Sequence, residues 1–192
     1  MIAIIKYNGG NVNSVQNALN RLGSESIITD NFELIQNADK VIFPGVGEAS
    51  STMKILQEKG LDQLIPTLKQ PVLGICLGMQ LMCKNNEEGN TVGMGIFDIN
   101  VKKFPAKNIV PHMGWNTISD FNSDLFSDVK EESDVYFVHS FYCELSENTT
   151  AVCDYILPFS ASLQKDNFYA MQFHPEKSGR IGSQLLQHFL KL

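Results

Sequence analysis

Cysteines are few and scattered. There are four among 192 residues, none in a Cys-x-x-Cys pair and none near a histidine cluster, which excludes a disulfide framework and a structural zinc site. Cys83, Cys143 and Cys153 read as ordinary core or surface thiols. No apolar run approaches the ~20 residues of a membrane span, and the apolar N-terminus has neither a charged flank nor a small-residue cleavage site. The expected compartment is therefore the cytosol. Basic residues are outnumbered, 15 Lys and Arg against 21 Asp and Glu for a net charge of -6, and they form no cluster. That balance argues against nucleic acid as the main partner. Internal repeats, low-complexity tracts and linkers are also missing, so residues 1–192 are expected to form one domain with a substantial core.

What is present divides into two rhythms. Up to about residue 85, short apolar runs at 2–6, 26–29, 40–43 and 72–75 alternate with helical patterns at 13–22 and 49–59. The first helix places Val15, Ala18, Leu19 and Leu22 on one face. Beyond residue 90 the pattern is mostly β, with runs near 92–102, 109–118, 135–142, 151–157 and 168–173. A last helix carries Ile181, Leu185, Phe189 and Leu192 on one side. The reading is an α/β fold, a flavodoxin-like open and mainly parallel sheet with helices on both faces. Antiparallel strands in the C-terminal half extend it, and both halves share one central sheet. Its ligand would lie at the carboxyl ends of the parallel strands.

The segment Val72-Leu73-Gly74-Ile75-Cys76-Leu77-Gly78-Met79-Gln80 runs from an apolar strand through a cysteine into a helix. That is the sequence form of a nucleophile elbow, a tight turn that lifts a thiol into a cleft. The helix N-terminus beneath it favours the thiolate and offers the Leu77 N–H to an oxyanion. A buried cysteine at a strand end is common, so the elbow needs partners. Gln172-Phe173-His174-Pro175-Glu176-Lys177-Ser178 holds them. His174 titrates in the range of a general base, and Glu176 is the carboxylate that orients it. Two residues apart in an extended segment, both side chains lie on the same side, with Pro175 restricting the backbone between them.

A glycine-rich turn, Pro44-Gly45-Val46-Gly47, follows the strand at 40–43 and can turn an N–H of Val46 or Gly47 toward the same cleft. It is not a dinucleotide fingerprint, since position 50 is Ser50. Gly93-Met94-Gly95 reads as a loop. His139 is expected to be structural, and His112 and His188 are not expected to be catalytic.

With these motifs the chain resembles the class I, triad-type glutamine amidotransferases. Within them it is similar to the glutaminase subunits of imidazole glycerol phosphate synthase. The resemblance covers nearly the whole chain, including Pro111-His112-Met113-Gly114-Trp115-Asn116 and Tyr136-Phe137-Val138-His139-Ser140. It implies glutamine hydrolysis by Cys76, His174 and Glu176, with an oxyanion held at Val46, Gly47 and Leu77. It implies glutamine contacts at Gln80, Ser140 and Phe141, and at Glu88 for the α-ammonium, where Glu87 is an alternative after a small register change. No metal and no organic cofactor are implied. The implied partner is the cyclase subunit, a (βα)8 barrel, joined as a heterodimer through Met113, Trp115, Tyr136 and Lys177. Ammonia would pass to that subunit for imidazole glycerol phosphate and AICAR in histidine biosynthesis. The family's Asp-Tyr-Gly after the first strand is Lys6-Tyr7-Asn8 here, a charge reversal that keeps open a paralogue feeding another acceptor. A peptidase-like or γ-glutamyl hydrolase is a second alternative, and a non-catalytic flavodoxin-like module a third.

Overall fold

The computed structural model describes residues 1–7 and 11–192. The first half alternates as its periodicity predicts: β1 (Ile2–Ile5), α1 (Val12–Arg21), β2 (Ser26–Thr29), α2 (Phe32–Gln36) and β3 (Lys40–Gly45). Then come α3 (Ala49–Glu58), α4 (Leu61–Leu64), β4 (Val72–Cys76) and α5 (Leu77–Met82). The second half begins with β5 (Cys83–Asn86), β6 (Thr91–Val92), β7 (Phe97–Lys103), β8 (His112–Ile118) and β9 (Ser133–His139). It ends with β10 (Phe141–Cys143), β11 (Thr149–Tyr155), β12 (Leu157–Lys165), β13 (Phe168–Met171) and α6 (Gly179–Lys191).

Seven strands form the central sheet in the order β11-β12-β13-β4-β3-β1-β2. The five from β13 to β2 run parallel, and β12 and β11 extend them antiparallel. β4 lies among the parallel strands, and every one of its residues is buried, as expected of a parallel strand covered on both faces. Alternate residues feed two cores. Ala3, Ile5, Val41 and Phe43 pack with α3 and α5 on one face. Ile2, Ile4, Ile42, Leu73 and Ile75 pack with α1 and α6 on the other.

The expectation of one sheet shared by both halves holds only for the two ends of the chain. The strands between residues 83 and 143 form a four-stranded sheet, β10-β7-β5-β6, and a separate β8–β9 hairpin. β5 escaped the sequence reading because Cys-Lys-Asn-Asn has no apolar alternation, and its backbone pairing with β6 and β7 is what makes it a strand. The expected run at 92–102 is broken at Gly93, where a Cβ would lie 2.0 Å from the Cys83 carbonyl oxygen. β12 was hidden by Ser160 and Ser162, buried hydroxyls that donate to the Glu144 and Ala170 carbonyls. In α6 the buried stripe is Gly182, Leu185, Leu186 and Phe189. Leu192, expected on that stripe, lies past the helix end and is 41% exposed. Among the described residues no helix is long and apolar enough to cross a membrane.

Candidate active site

β4 delivers Cys76 to the carboxyl edge of the sheet, and α5 starts at the next residue. Cys76 has φ 52° and ψ -109°, a left-handed conformation that costs a non-glycine residue roughly 1–3 kcal/mol. Glycines make room for the turn. A Cβ on Gly45, the register partner of Cys76, would lie 2.5 Å from the Gly78 nitrogen. A Cβ on Gly78 would lie 2.0 Å from the Phe43 carbonyl oxygen. Gly78→Ala must push α5 off β3, and an overpacking cost on the order of 3 kcal/mol is expected, read as a lowered denaturant midpoint.

His174 reaches the elbow because β13 pairs with β4, so the chain leaving β13 emerges beside Cys76. The His174 N–H donates to the Tyr136 carbonyl at 2.9 Å, tying the segment to β9. The path to Glu176 differs from the extended one expected. His174 is extended at φ -98°, but Pro175 opens a 3-10 turn over Pro175–Lys177. Proline's fixed φ suits the first position of a helical turn, and the turn folds Glu176 back onto the imidazole. Nδ1 of His174 lies 2.8 Å from Glu176 Oε1, and both side chains are fully buried. Nδ1 donates to the carboxylate, which leaves Nε2 for the thiol. Among the described residues Nε2 has no hydrogen-bond partner.

Asn11 is a member of this site that the sequence reading missed. It stands before α1, at φ 90°, and its Nδ2 donates to Glu176 Oε1 at 2.6 Å. The only sequence signal was an asparagine in helix-capping position, and it caps nothing with its side chain. Burial opposes the charge on His174, but the nearby Cys76 and the hydrogen bond and charge of Glu176 prevail and push its pKa up to about 10. Glu176 is likewise penalised by burial, yet His174 and Asn11 hold its carboxyl below the ordinary range. A raised histidine pKa stabilises the fold fully below the ordinary value of 6.5, and this contribution is lost as pH rises through about 10. Between those limits the unfolding midpoint of the wild type should fall more steeply with pH than that of His174→Asn.

A cleft of about 320 Å³ opens over Cys76. Val46, Gly47, Leu77, Gln80, Glu88, Ser140 and Phe141 all border it, and so do Pro111, Val138 and His139. Gly47 sits at φ 119°, so the turn after β3 needs a glycine there. Buried Tyr7 donates to the Pro44 carbonyl at 2.7 Å, fixing the start of that turn. Glu88 is half-buried, its pKa raised by burial, and it accepts from the Ala49 N–H at 2.8 Å. Glu87 points elsewhere, accepting from the Lys103 N–H at 2.7 Å. Gln80 is buried, and its amide is engaged by the Phe141 carbonyl, Gln172 and Asn86.

His139, expected to be structural, forms a buried pair with His112, which was not expected to be catalytic. Asn116 donates to His112 Nε2 at 3.1 Å, which leaves His112 Nδ1 to donate to His139 Nε2 at 3.0 Å. His139 Nδ1 then donates to the Phe141 carbonyl at 2.7 Å. Burial lowers the pKa of His112 to about 4 and that of His139 to about 3, so both stay neutral and the tautomers are set. His188 caps the Leu125 carbonyl from α6.

Outside the cleft, Met113 and Trp115 project from the β8–β9 hairpin, 63% and 58% exposed. Trp115 and Tyr136 are register partners, and Lys177 Nζ stands 6.0 Å from the Tyr136 ring. Of the unusual residues after β1, Lys6 is exposed, while Asn8 lies outside the described residues.

An elbow cysteine facing a buried histidine–carboxylate pair on a doubly wound sheet defines the frame of a thiol-dependent amidohydrolase. The family model for class-I glutamine amidotransferases matches residues 3–192, and the chain belongs to that family. It is 60% identical to the imidazole glycerol phosphate synthase subunit HisH of Bacteroides fragilis, with 100% of this chain and 99% of that protein covered. It is 42% identical to subunit HisH 2 of Methanococcus maripaludis, with 100% and 99% covered. Its fold is that of a putative GMP synthase subunit from Thermoplasma acidophilum, with a TM-score of 0.75 at 20% identity over 100% of this chain and 92% of that one. The PurLQS structure from Thermotoga maritima gives 0.70 at 16% identity, over 99% and 97%.

Proposed function

We propose that this protein is the glutaminase subunit of imidazole glycerol phosphate synthase, hydrolysing glutamine and handing the ammonia to a cyclase subunit for histidine biosynthesis. The observation that carries the reading is the placement of Cys76, on a positive-φ elbow lining the cleft, with the buried His174–Glu176 pair brought beside it by the strand that pairs with β4. The sulfur attacks the carboxamide carbon of glutamine. The tetrahedral oxygen is held by backbone N–H groups of the Val46–Gly47 turn and of Leu77. His174, protonated at neutral pH, gives its proton to the nitrogen, and ammonia leaves from a γ-glutamyl thioester. Water then attacks the thioester, His174 takes a proton from it, and glutamate departs as the sulfur is restored. Glu176 orients the imidazole, and Asn11 holds Glu176.

Glu88 supplies a negative charge for the α-ammonium of glutamine, and Gln80, Ser140 and Phe141 shape the rest of the subsite. Met113, Trp115, Tyr136 and Lys177 form the face for the cyclase, a heterodimeric partner. An exposed tryptophan and methionine rimmed by a lysine suit a protein interface. The whole chain acts as one domain, working in the cytoplasm. A chloroketone analogue of glutamine should alkylate Cys76 alone among the four cysteines, read by peptide mass mapping, and excess glutamine should protect it. Labelling of Cys83, Cys143 or Cys153 at equal rate would remove the reading.

A further inference from the structure

Gln172 opens the His-Pro-Glu segment, where the motif alone gives it no role. Its side chain is wholly buried, and its amide lies between Gln80 and the nucleophile. Nε2 is 3.6 Å from Cys76 Sγ, and Oε1 is 3.0 Å from Gln80 Nε2. A glutamine amide can be turned end for end, so which end faces the sulfur has to follow from its neighbours.

Two backbone groups settle it from opposite ends. The Phe141 carbonyl can only accept, and it stands 3.0 Å from Gln80, so Gln80 presents its NH2 there. The Glu88 N–H can only donate, at 2.8 Å, so Asn86 presents its oxygen to it and turns its own NH2 toward Gln80 Oε1, at 3.3 Å. Both anchors give Gln80 the same orientation. Its second N–H therefore points at Gln172, which must offer its oxygen there and its NH2 to the sulfur. Reversing Gln172 would set NH2 against NH2 among buried groups and leave a buried donor unpaired.

We propose that Gln172 is a further catalytic residue of the glutaminase reaction, an amide N–H donor fixed on the Cys76 sulfur by Gln80 and the Phe141 carbonyl. The inference rests on Cys76 being the nucleophile. A sulfur that receives this N–H is directed by it, and the same N–H stabilises the negative charge that returns to sulfur when the C–S bond of the thioester breaks. Hydrolysis adds water to the thioester carbon, and the electron pair of the C–S bond leaves on sulfur. A donor already in place meets that charge without rearrangement. Gln80 accordingly acts on the sulfur through Gln172 as well as bordering the substrate cleft.

The test uses the complex with the cyclase subunit and two variants of near-native volume. Gln172→Met removes the donor without adding charge. Gln172→Glu keeps an oxygen for Gln80 but turns a second oxygen toward the sulfur. Losing one preorganised donor should lower glutaminase kcat by about 10- to 100-fold in Gln172→Met, and by more in Gln172→Glu, with the glutamine KM within about 3-fold of wild type. Gln80→Met should also lower kcat, because Gln172 then loses the contact that holds its N–H on the sulfur. Turnover within about 3-fold of wild type in Gln172→Met or Gln172→Glu would overturn the proposal, as would a deficit confined to KM. Failure of the underlying reading is separate: it would appear as an active Cys76→Ser enzyme, whatever the Gln172 variants do.

Discussion

Cys76→Ser is expected to abolish glutamine turnover in the complex, by about 10⁴-fold or more, or ~5.5 kcal/mol of barrier. The change exchanges sulfur for oxygen and barely disturbs packing. What it removes is a nucleophile that works beside a protonated imidazole. A serine hydroxyl needs its proton taken by a free base, and among the described residues His174 is the group placed to do so. Cys76 contributes to the elevation of the His174 pKa to about 10, but Glu176 contributes too and remains in the variant. The imidazole is therefore a poor base at neutral pH just where serine requires one. Glutamine affinity should stay within a few-fold of wild type, because the cleft walls are untouched. Glutamate release followed over hours would register the loss, and activity within 10-fold of wild type would rule out Cys76 as nucleophile.

The second large effect concerns the carboxylate. Glu176→Gln should lower kcat by about 10²- to 10³-fold with little change in KM. The amide oxygen can still receive the His174 and Asn11 contacts that Glu176 Oε1 receives at 2.8 and 2.6 Å. Geometry is thus largely kept, and the charge is lost. Burial, the leading influence against the imidazolium, is then opposed by Cys76 alone, and the His174 pKa falls. The sign is fixed: a lower pKa means that the proton needed by the leaving ammonia is present only at lower pH. The alkaline limb of the kcat profile should move to lower pH, and the residual activity of the variant should rise as the buffer is acidified toward neutrality. An unmoved alkaline limb would mean that Glu176 does not support the charge on His174.

Much of the frame was legible because its determinants are local. The buried parallel strands announce themselves as short apolar runs, and the elbow as a cysteine between Ile75 and Leu77 with glycines flanking it. Val46, Gly47 and Leu77 followed from the turn and elbow sequences and Gln80, Glu88, Ser140 and Phe141 from family resemblance, and the structure gathers those residues around one cavity. What stayed hidden depends on pairing between distant segments. β5 is polar and becomes a strand only through its neighbours. Asn11 meets Glu176 across 165 positions, and Gln172 meets Cys76 across 96. No spacing rule connects such residues. The turn at Pro175 was misjudged for a different reason: proline restricts the residue before it to extended geometry but can itself open a helical turn, and here it does both. The pairing of His112 with His139 stayed hidden because it joins β8 to β9 across 27 positions and ends on a backbone carbonyl.

The most direct measurement follows the amide nitrogen itself. The reconstituted complex with the cyclase subunit is given glutamine labelled with ¹⁵N at the side-chain amide, together with the cyclase's own substrate and an excess of unlabelled ammonium at a pH where little free ammonia is present. If this chain releases ammonia from glutamine at Cys76 and passes it directly to its partner, the imidazole product carries ¹⁵N nearly stoichiometrically with glutamate formed, and Cys76→Ser yields only unlabelled product. Product diluted to the isotopic composition of the bulk ammonium, or label persisting in Cys76→Ser, would contradict the account.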